Sequence, residues 1–150
     1  MVRVAALGLG EWCFAAESVN IPASSQTFDA TRWRYLIVPD VAVQKARVAV
    51  AAFNRYATMW SNNGFAFAED APEDAIPGRL YEIERIDQYR PKELKREMKG
   101  VGVEILKRDT RLSVEDVRKA ISAKAGSEHM LAVTTIGGDN WVIHIKPLSL

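Results

Sequence analysis

The stretch "RLYEIERIDQYRPKELKREMKGVGVEILKR", residues 79–108, decides the fold class. Its first part alternates Leu80, Glu82 and Glu84 against Tyr81 and Ile83, the two-residue period of a half-buried strand. Pro91 then sits where a first helical turn tolerates it, because the amide hydrogen it lacks would have no partner there. "KELKREMK" follows as a charged helix ended by Gly100. From Val101 the alternation returns, with Val103 and Ile105 directed to core and the basic pair Lys107-Arg108 at the strand end. Strand, helix and strand therefore occupy thirty residues.

Working toward the C-terminus, Ser113 with Asp116 forms the acidic variant of a capping box. It opens a helix through "VEDVRKAISAKAG", expected to run to Gly126. "HMLAVTTIGGDNWVIHIKPL" reads as two strands joined through "GGDN", a strong hairpin signal. From residue 79 the order is β-α-β-α-β-β, and the class is α+β (mixed α/β), because the hairpin supplies antiparallel pairing among interleaved helices and strands.

Toward the N-terminus, "RWRYLIV" is a strand stopped by Pro39, and Asp40 can cap a helix from Val41 to about Ala57. That helix is apolar around most of its circumference and should be buried. "FAFAE" is a short strand, "DAPEDAIPG" an acidic loop, and residues 20–31 a polar linker. The first twenty residues suggest two short strands around Gly8 and Gly10.

The chain has 150 residues, 48% hydrophobic and 26% charged, an ordinary balance for one globular domain with a real core. Its one cysteine, Cys13, excludes an internal disulfide framework and fits a reducing, cytoplasmic setting. The most apolar stretch, residues 41–57, is broken by Lys45, Arg47 and Arg55, so no membrane span is expected. Net charge is +1, but residues 79–124 hold 13 Lys/Arg against 9 Asp/Glu. The basic charge is concentrated centrally.

Most candidate chemistry has a plainer reading. Gly8-Leu9-Gly10 lacks the third glycine and the helix of a dinucleotide loop. Cys13 has no histidine near it in sequence, and His129 and His144 fall on hairpin strands without metal-ligand spacing. The carboxylates of residues 69–74 lack the pattern of a calcium loop and read as a solvated surface. The basic set is more informative. Lys92, Lys95 and Lys99 step by three and four along one helix, and Lys107, Arg108 and Arg111 cluster at the next strand end. Grouped lysines and arginines of this kind suit phosphates.

Several ordered motifs extend over residues 33–147. They are Pro39-Asp40 with Lys45-Ala46, then Pro77-Gly78-Arg79, then Lys92 to Lys95. The basic strand end Lys107-Arg108, the Leu112 to Lys119 helix and the Thr-Thr hairpin complete the order. In this order the chain resembles the THUMP-like domain that follows the catalytic domain in bacterial class I S-adenosylmethionine-dependent methyltransferases. Residues 1–20 resemble the terminal strands of a methyltransferase core, although Glu11-Trp12-Cys13 stand where Glu-Cys-x-Glu is expected. The resemblance implies a non-catalytic accessory domain. S-adenosylmethionine would be expected only in the missing catalytic domain, since the chain has no Gly-rich cofactor loop with its acidic partner. The chain would then be a fragment, an excised domain or a stand-alone relic of a two-domain enzyme. Because related THUMP domains occur in tRNA-modifying enzymes, the resemblance implies a tRNA-like RNA partner. Phosphate contacts would fall to Lys92, Lys95, Lys99, Lys107, Arg108 and Arg111, and Tyr89 or Trp141 could stack on a base. The alternative is a module that docks on the catalytic domain without RNA, exposing an apolar patch and self-associating when isolated.

Overall fold

The structure is a computed structural model that describes residues 2–6, 10–14 and 21–148, with side chains from residue 21 onward. The side chains of Glu11 and Cys13 and the turn at Gly8 thus lie outside the described residues. The chain is mixed α+β. It divides into two compact units, residues 1–27 with 32–81, and residues 28–31 with 82–150. Hydrogen bonding orders seven strands as β4-β3-β5-β9-β8-β6-β7.

In the first unit, β1 (Val2–Ala6) and β2 (Gly10–Phe14) form an antiparallel pair. β3 (Tyr35–Pro39) pairs antiparallel with β4 (Ala66–Ala68). Asp40 caps the next helix as expected, its carboxylate accepting from the Ala42 amide at 2.8 Å. The single helix expected over residues 41–57 is instead two short ones, α1 (Val41–Lys45) and α2 (Ala49–Phe53). Arg47 lies between them with φ +58°. The Val48 amide donates to Val43 O and the Arg47 amide to Gln44 O, the paired bonds of a Schellman closure. Asn62 Oδ1 then accepts from the Val50 amide at 2.9 Å and caps α2 from another loop. The break buries Val43, Val48, Ala49, Val50 and Phe53 together against Ile37 and Ala66. One straight cylinder has too many apolar faces to bury in this way.

The second unit follows the expected order. β5 (Gly78–Gln88), whose first four residues belong to the first unit, leads into α3 (Pro91–Met98) with Pro91 in its first turn. β6 (Gly102–Lys107) and α4 (Val114–Ala120) come next. α4 ends six residues earlier than expected. Ser122, at φ +54°, closes it by the same device, with Ala123 N–H to Arg118 O and Ser122 N–H to Lys119 O. The freed residues form β7 (Lys124–Ala125), which pairs parallel with β6, and Gly126 packs so closely on Gly102 that neither has room for a Cβ in easy contact. β8 (His129–Ile136) runs parallel to β6 and antiparallel to β9 (Asp139–Pro147). The hairpin loop is only Gly137-Gly138, at φ +62° and +85°, with Asp139 and Asn140 inside the ladder rather than the turn.

Leu94 and Met98, one turn apart, form the buried stripe of α3. They join Val103, Ile105, Val117, Ile121, Leu131, Val133 and Val142 in one core. Val103 and Ile105 therefore build core as the alternation requires. Ser113 Oγ accepts from the Asp116 amide at 3.0 Å, satisfying one of the orphan donors of α4. A Ser113→Ala variant should lose about 1 kcal/mol in urea unfolding. A change under a few tenths would mean that solvent replaces this cap at no cost.

Candidate nucleic-acid interface

The parallel run of β6 and β8 brings two loops to one end of the sheet. Lys107 pairs with Val133, the Arg108 amide donates to Val133 O, and the Thr135 amide donates to Asp109 O. Beyond β5, the Tyr89 amide donates to Asn140 O, so the strand end leading into α3 reaches the same end. Residues 88–92, 107–113 and 135–140 thus gather there. The N-termini of α3 and α4 follow directly from this end.

The rim carries Arg90, Lys92, Lys107 and Arg111, all exposed, and the half-buried Arg108. Lys107 Nζ donates to Leu112 O at 2.9 Å, which bends the loop around the lysine and holds its charge in place. Arg90 contacts Gln88 Oε1 at 3.2 Å and Glu93 at 3.9 Å, exposed pairs of small energetic weight. Asp109 and Asp139 also stand at this end, so the rim is basic but not uniformly so.

Under the rim lies a neutral hydrogen-bonded chain that the sequence reading missed. Leu112 N–H donates to Thr110 Oγ1 at 3.3 Å, Thr110 and Thr135 hydroxyls meet at 2.9 Å, and Thr135 Oγ1 donates to Asn140 Oδ1 at 2.6 Å. Each hydroxyl has one proton, so the chain has a consistent direction from Leu112 to Asn140. It ties the loop after β6 to the β8–β9 hairpin. Asp109, at φ +51°, makes the sharp turn into it.

Four of the six expected contact residues, Lys92, Lys107, Arg108 and Arg111, therefore meet at one end. Lys95 lies midway along α3. Lys99 is the C-cap of α3, with ψ 120°, and does not continue the helical row of Lys92 and Lys95. The Gly100 amide donates to Ser122 O, placing Lys99 beside the far end of α4. Eight helical residues rise about 12 Å, so Lys99 belongs to a different end of the sheet. Arg90 takes its place on the rim; its position just before Pro91 at the strand end was the available signal.

A second polar cluster lies on the helix-facing side of β9. His144 is 3% exposed, and its Nδ1 lies 2.8 Å from His129 Nε2. Arg85 Nη2 reaches His144 Nε2 at 3.0 Å and also donates to Glu97, while Arg85 Nε donates to Asp87 at 2.6 Å. A guanidinium only donates, so His144 Nε2 must be an acceptor. The proton of neutral His144 is then on Nδ1 and is donated to His129. Burial, then Arg85 and His129, push the His144 pKa down to about 4. Both ring nitrogens are engaged, so this cluster fixes strands rather than offering a free base. A groove of about 570 Å3 runs beside it, lined in part by Arg85, Arg90, Glu97 and Trp141.

Trp141 stands opposite Thr134 and packs edge-on against Phe28 at 5.1 Å, while Tyr89 packs on the helix-side core. Both side chains are partly committed to packing. Among the described residues, Val41 is the one large hydrophobic side chain that is exposed. No helix among them is long and apolar enough to cross a membrane.

No match was found among curated proteins. A solved structure, "Crystal structure of putative methyltransferase from Porphyromonas gingivalis W83", shares the fold, with a TM-score of 0.71 and 22% identity over 93% of this chain. This chain spans 35% of the length of that protein. Residues 78–147, from the start of β5 to the end of β9, match the family model described as THUMP domain-like.

Proposed function

We propose that the chain is a non-catalytic accessory domain of an S-adenosylmethionine-dependent methyltransferase, and that its THUMP-like segment helps bind or present a tRNA-like RNA. The gathering of Arg90, Lys92, Lys107, Arg108 and Arg111 at one sheet end carries this reading. Five cations on a platform braced by Thr110, Thr135 and Asn140 offer preplaced partners to successive phosphates. Such contacts fix the position of an RNA without reading its sequence. The match over residues 78–147 and the fold shared with the Porphyromonas gingivalis protein support the accessory role. The methyl donor would be held by a separate catalytic domain, on which this chain would dock.

Binding of purified protein to bulk tRNA across a salt series tests the reading. The apparent affinity should fall steeply as salt rises. A Lys92→Ala/Arg111→Ala variant removes two exposed cations and should flatten the log–log slope by about two. Absence of binding at low salt would sink the RNA role, as would an unchanged slope in the variant; docking on the catalytic domain would then be the function.

A further inference from the structure

Both helices of the second unit start at the rim and end together at the opposite end of the sheet. There the Gly100 amide donates to Ser122 O at 2.9 Å, and the Lys124 amide donates to Val101 O at 2.8 Å. These bonds tie together the end of α3, the end of α4 and the start of β7. They bring Arg96, Lys99, Lys119 and Lys124 to one end, with Lys95 on the α3 turn that leads to it. All five are exposed, and none makes an ion pair with another described residue. Glu128 stands at this end beside Gly102, while Glu97 is held by Arg85. Across the sheet, Lys146 is matched by Glu82 at 3.9 Å.

Charge balance separates the two ends. At the rim, Asp109, Asp139 and the first-turn carboxylates Glu93, Glu115 and Asp116 equal the five cations in number. Helix C-termini favour cations, but each carries only about half a negative charge. Two such ends together with Glu128 therefore balance about two of the five far-end cations. Lys124 stands on a strand, where no helix end calls for it. A net positive surface remains.

The five side chains lie outside the groove beside His144, on open surface. Among the described residues of the second unit, no large hydrophobic side chain is exposed. Protein interfaces are depleted of lysine and centre on apolar or aromatic anchors, and membrane-surface helices insert apolar side chains. Separated ammonium groups instead match a row of phosphates. We infer that the far end is a second phosphodiester-binding surface, so that one RNA is held at both ends of the α3–α4 layer. This rests on the RNA reading and extends it from the rim to the opposite end. α3 rises about 12 Å between the ends, and a stacked strand places a phosphate about every 3.4 Å. About three or four phosphates of one strand then bridge the two ends, with Lys95 between them.

Binding of the full chain to bulk tRNA across a salt series, compared among variants, tests the inference. Lys99→Ala/Lys119→Ala/Lys124→Ala should bind about ten-fold or more weakly at low salt and flatten the log–log slope by about three. Lys99→Arg/Lys119→Arg/Lys124→Arg keeps the charge and should bind like the wild type. Adding Lys92→Ala/Arg111→Ala to the alanine triple should flatten the slope by about five, because both ends act on one RNA. An alanine triple with the wild-type slope would overturn the second surface and leave the rim reading standing. An arginine triple as weak as the alanine one would also overturn it, since charge would not be the cause. No tRNA binding by the wild type at low salt would overturn both readings. Vesicles of phosphatidylcholine and phosphatidylserine supply the remaining arm. An alanine triple that loses these vesicles but keeps tRNA would assign the far end to a membrane surface and overturn the inference.

Discussion

Lowering the pH from 7 to 4 should cost the second unit about 3 kcal/mol through His144 alone. Its folded pKa of about 4 lies below the ordinary value of 6.5. Between these values the unfolded chain takes up a proton that the folded one refuses. The stabilisation is therefore complete above pH 6.5, declines as pH falls toward 4, and changes no further below that. The cause is structural: the ring is 3% exposed, and Arg85 donates to the nitrogen that would have to be protonated. A His144→Gln variant keeps an acceptor for Arg85 and a donor for His129 but cannot titrate. Its stability should be flatter across this window than that of the wild type, read by urea unfolding and by hydrogen exchange of the β8 and β9 amides. Parallel pH curves for the two proteins would show that His144 is not the titrating group.

Leu131→Ala should cost 2–5 kcal/mol, by about the measure of other fully buried leucines. Leu131 is 0% exposed, stands opposite His144 in the β8–β9 ladder, and packs in the core that α3 and α4 cover. The loss combines transfer of the missing side-chain atoms with the cavity they leave, since strands held by neighbours on both sides cannot collapse into it. That is a large part of the roughly 5–15 kcal/mol by which ordinary domains are stable. Leu106, the half-buried residue next along β6 from Ile105, lies outside this core and should cost less on the same substitution. Equal losses at the two positions would refute this account of where the core lies.

Periodicity and turn residues made the order of elements legible: α3 and β6 each bury one face and so repeat at 3.6 or at two residues, while β8 and β9, buried on both faces, read as apolar runs around Gly137-Gly138. The two misread helix ends share a cause. Arg47 and Ser122 both occupy the left-handed position that closes a Schellman motif, a place where glycine is the usual sign. With a side chain there, no sequence signal marked either stop, and both helices were read too long. The short β7 was hidden for the same reason.

The candidate site was legible in composition but not in place. Spacing grouped Lys92, Lys95 and Lys99, yet parallel pairing of β6 with β8 is what gathers the rim, and long-range pairing leaves no local trace. The histidine pair shows how fine the margin is. A loop of four residues at "GGDN" would shift the hairpin register by two; the actual loop of Gly137-Gly138 sets Ile136 opposite Asp139. Only that register makes His129 and His144 diagonal neighbours on one face.

The strand order also bears on synthesis. β9 lies between β5 and β8, although β5 precedes it by about fifty residues and β9 is near the end of the described chain. During translation, β5, α3, β6 and α4 must emerge before the strand that joins them exists. The β8–β9 hairpin closes locally within microseconds once it is exposed, but the pairings it completes are distant in sequence and form more slowly. Until then the ladder edge of β5 stands open. Nascent chains halted before residue 139 should accordingly be captured by holdase chaperones or cut by proteases, and those extended past residue 147 should resist both.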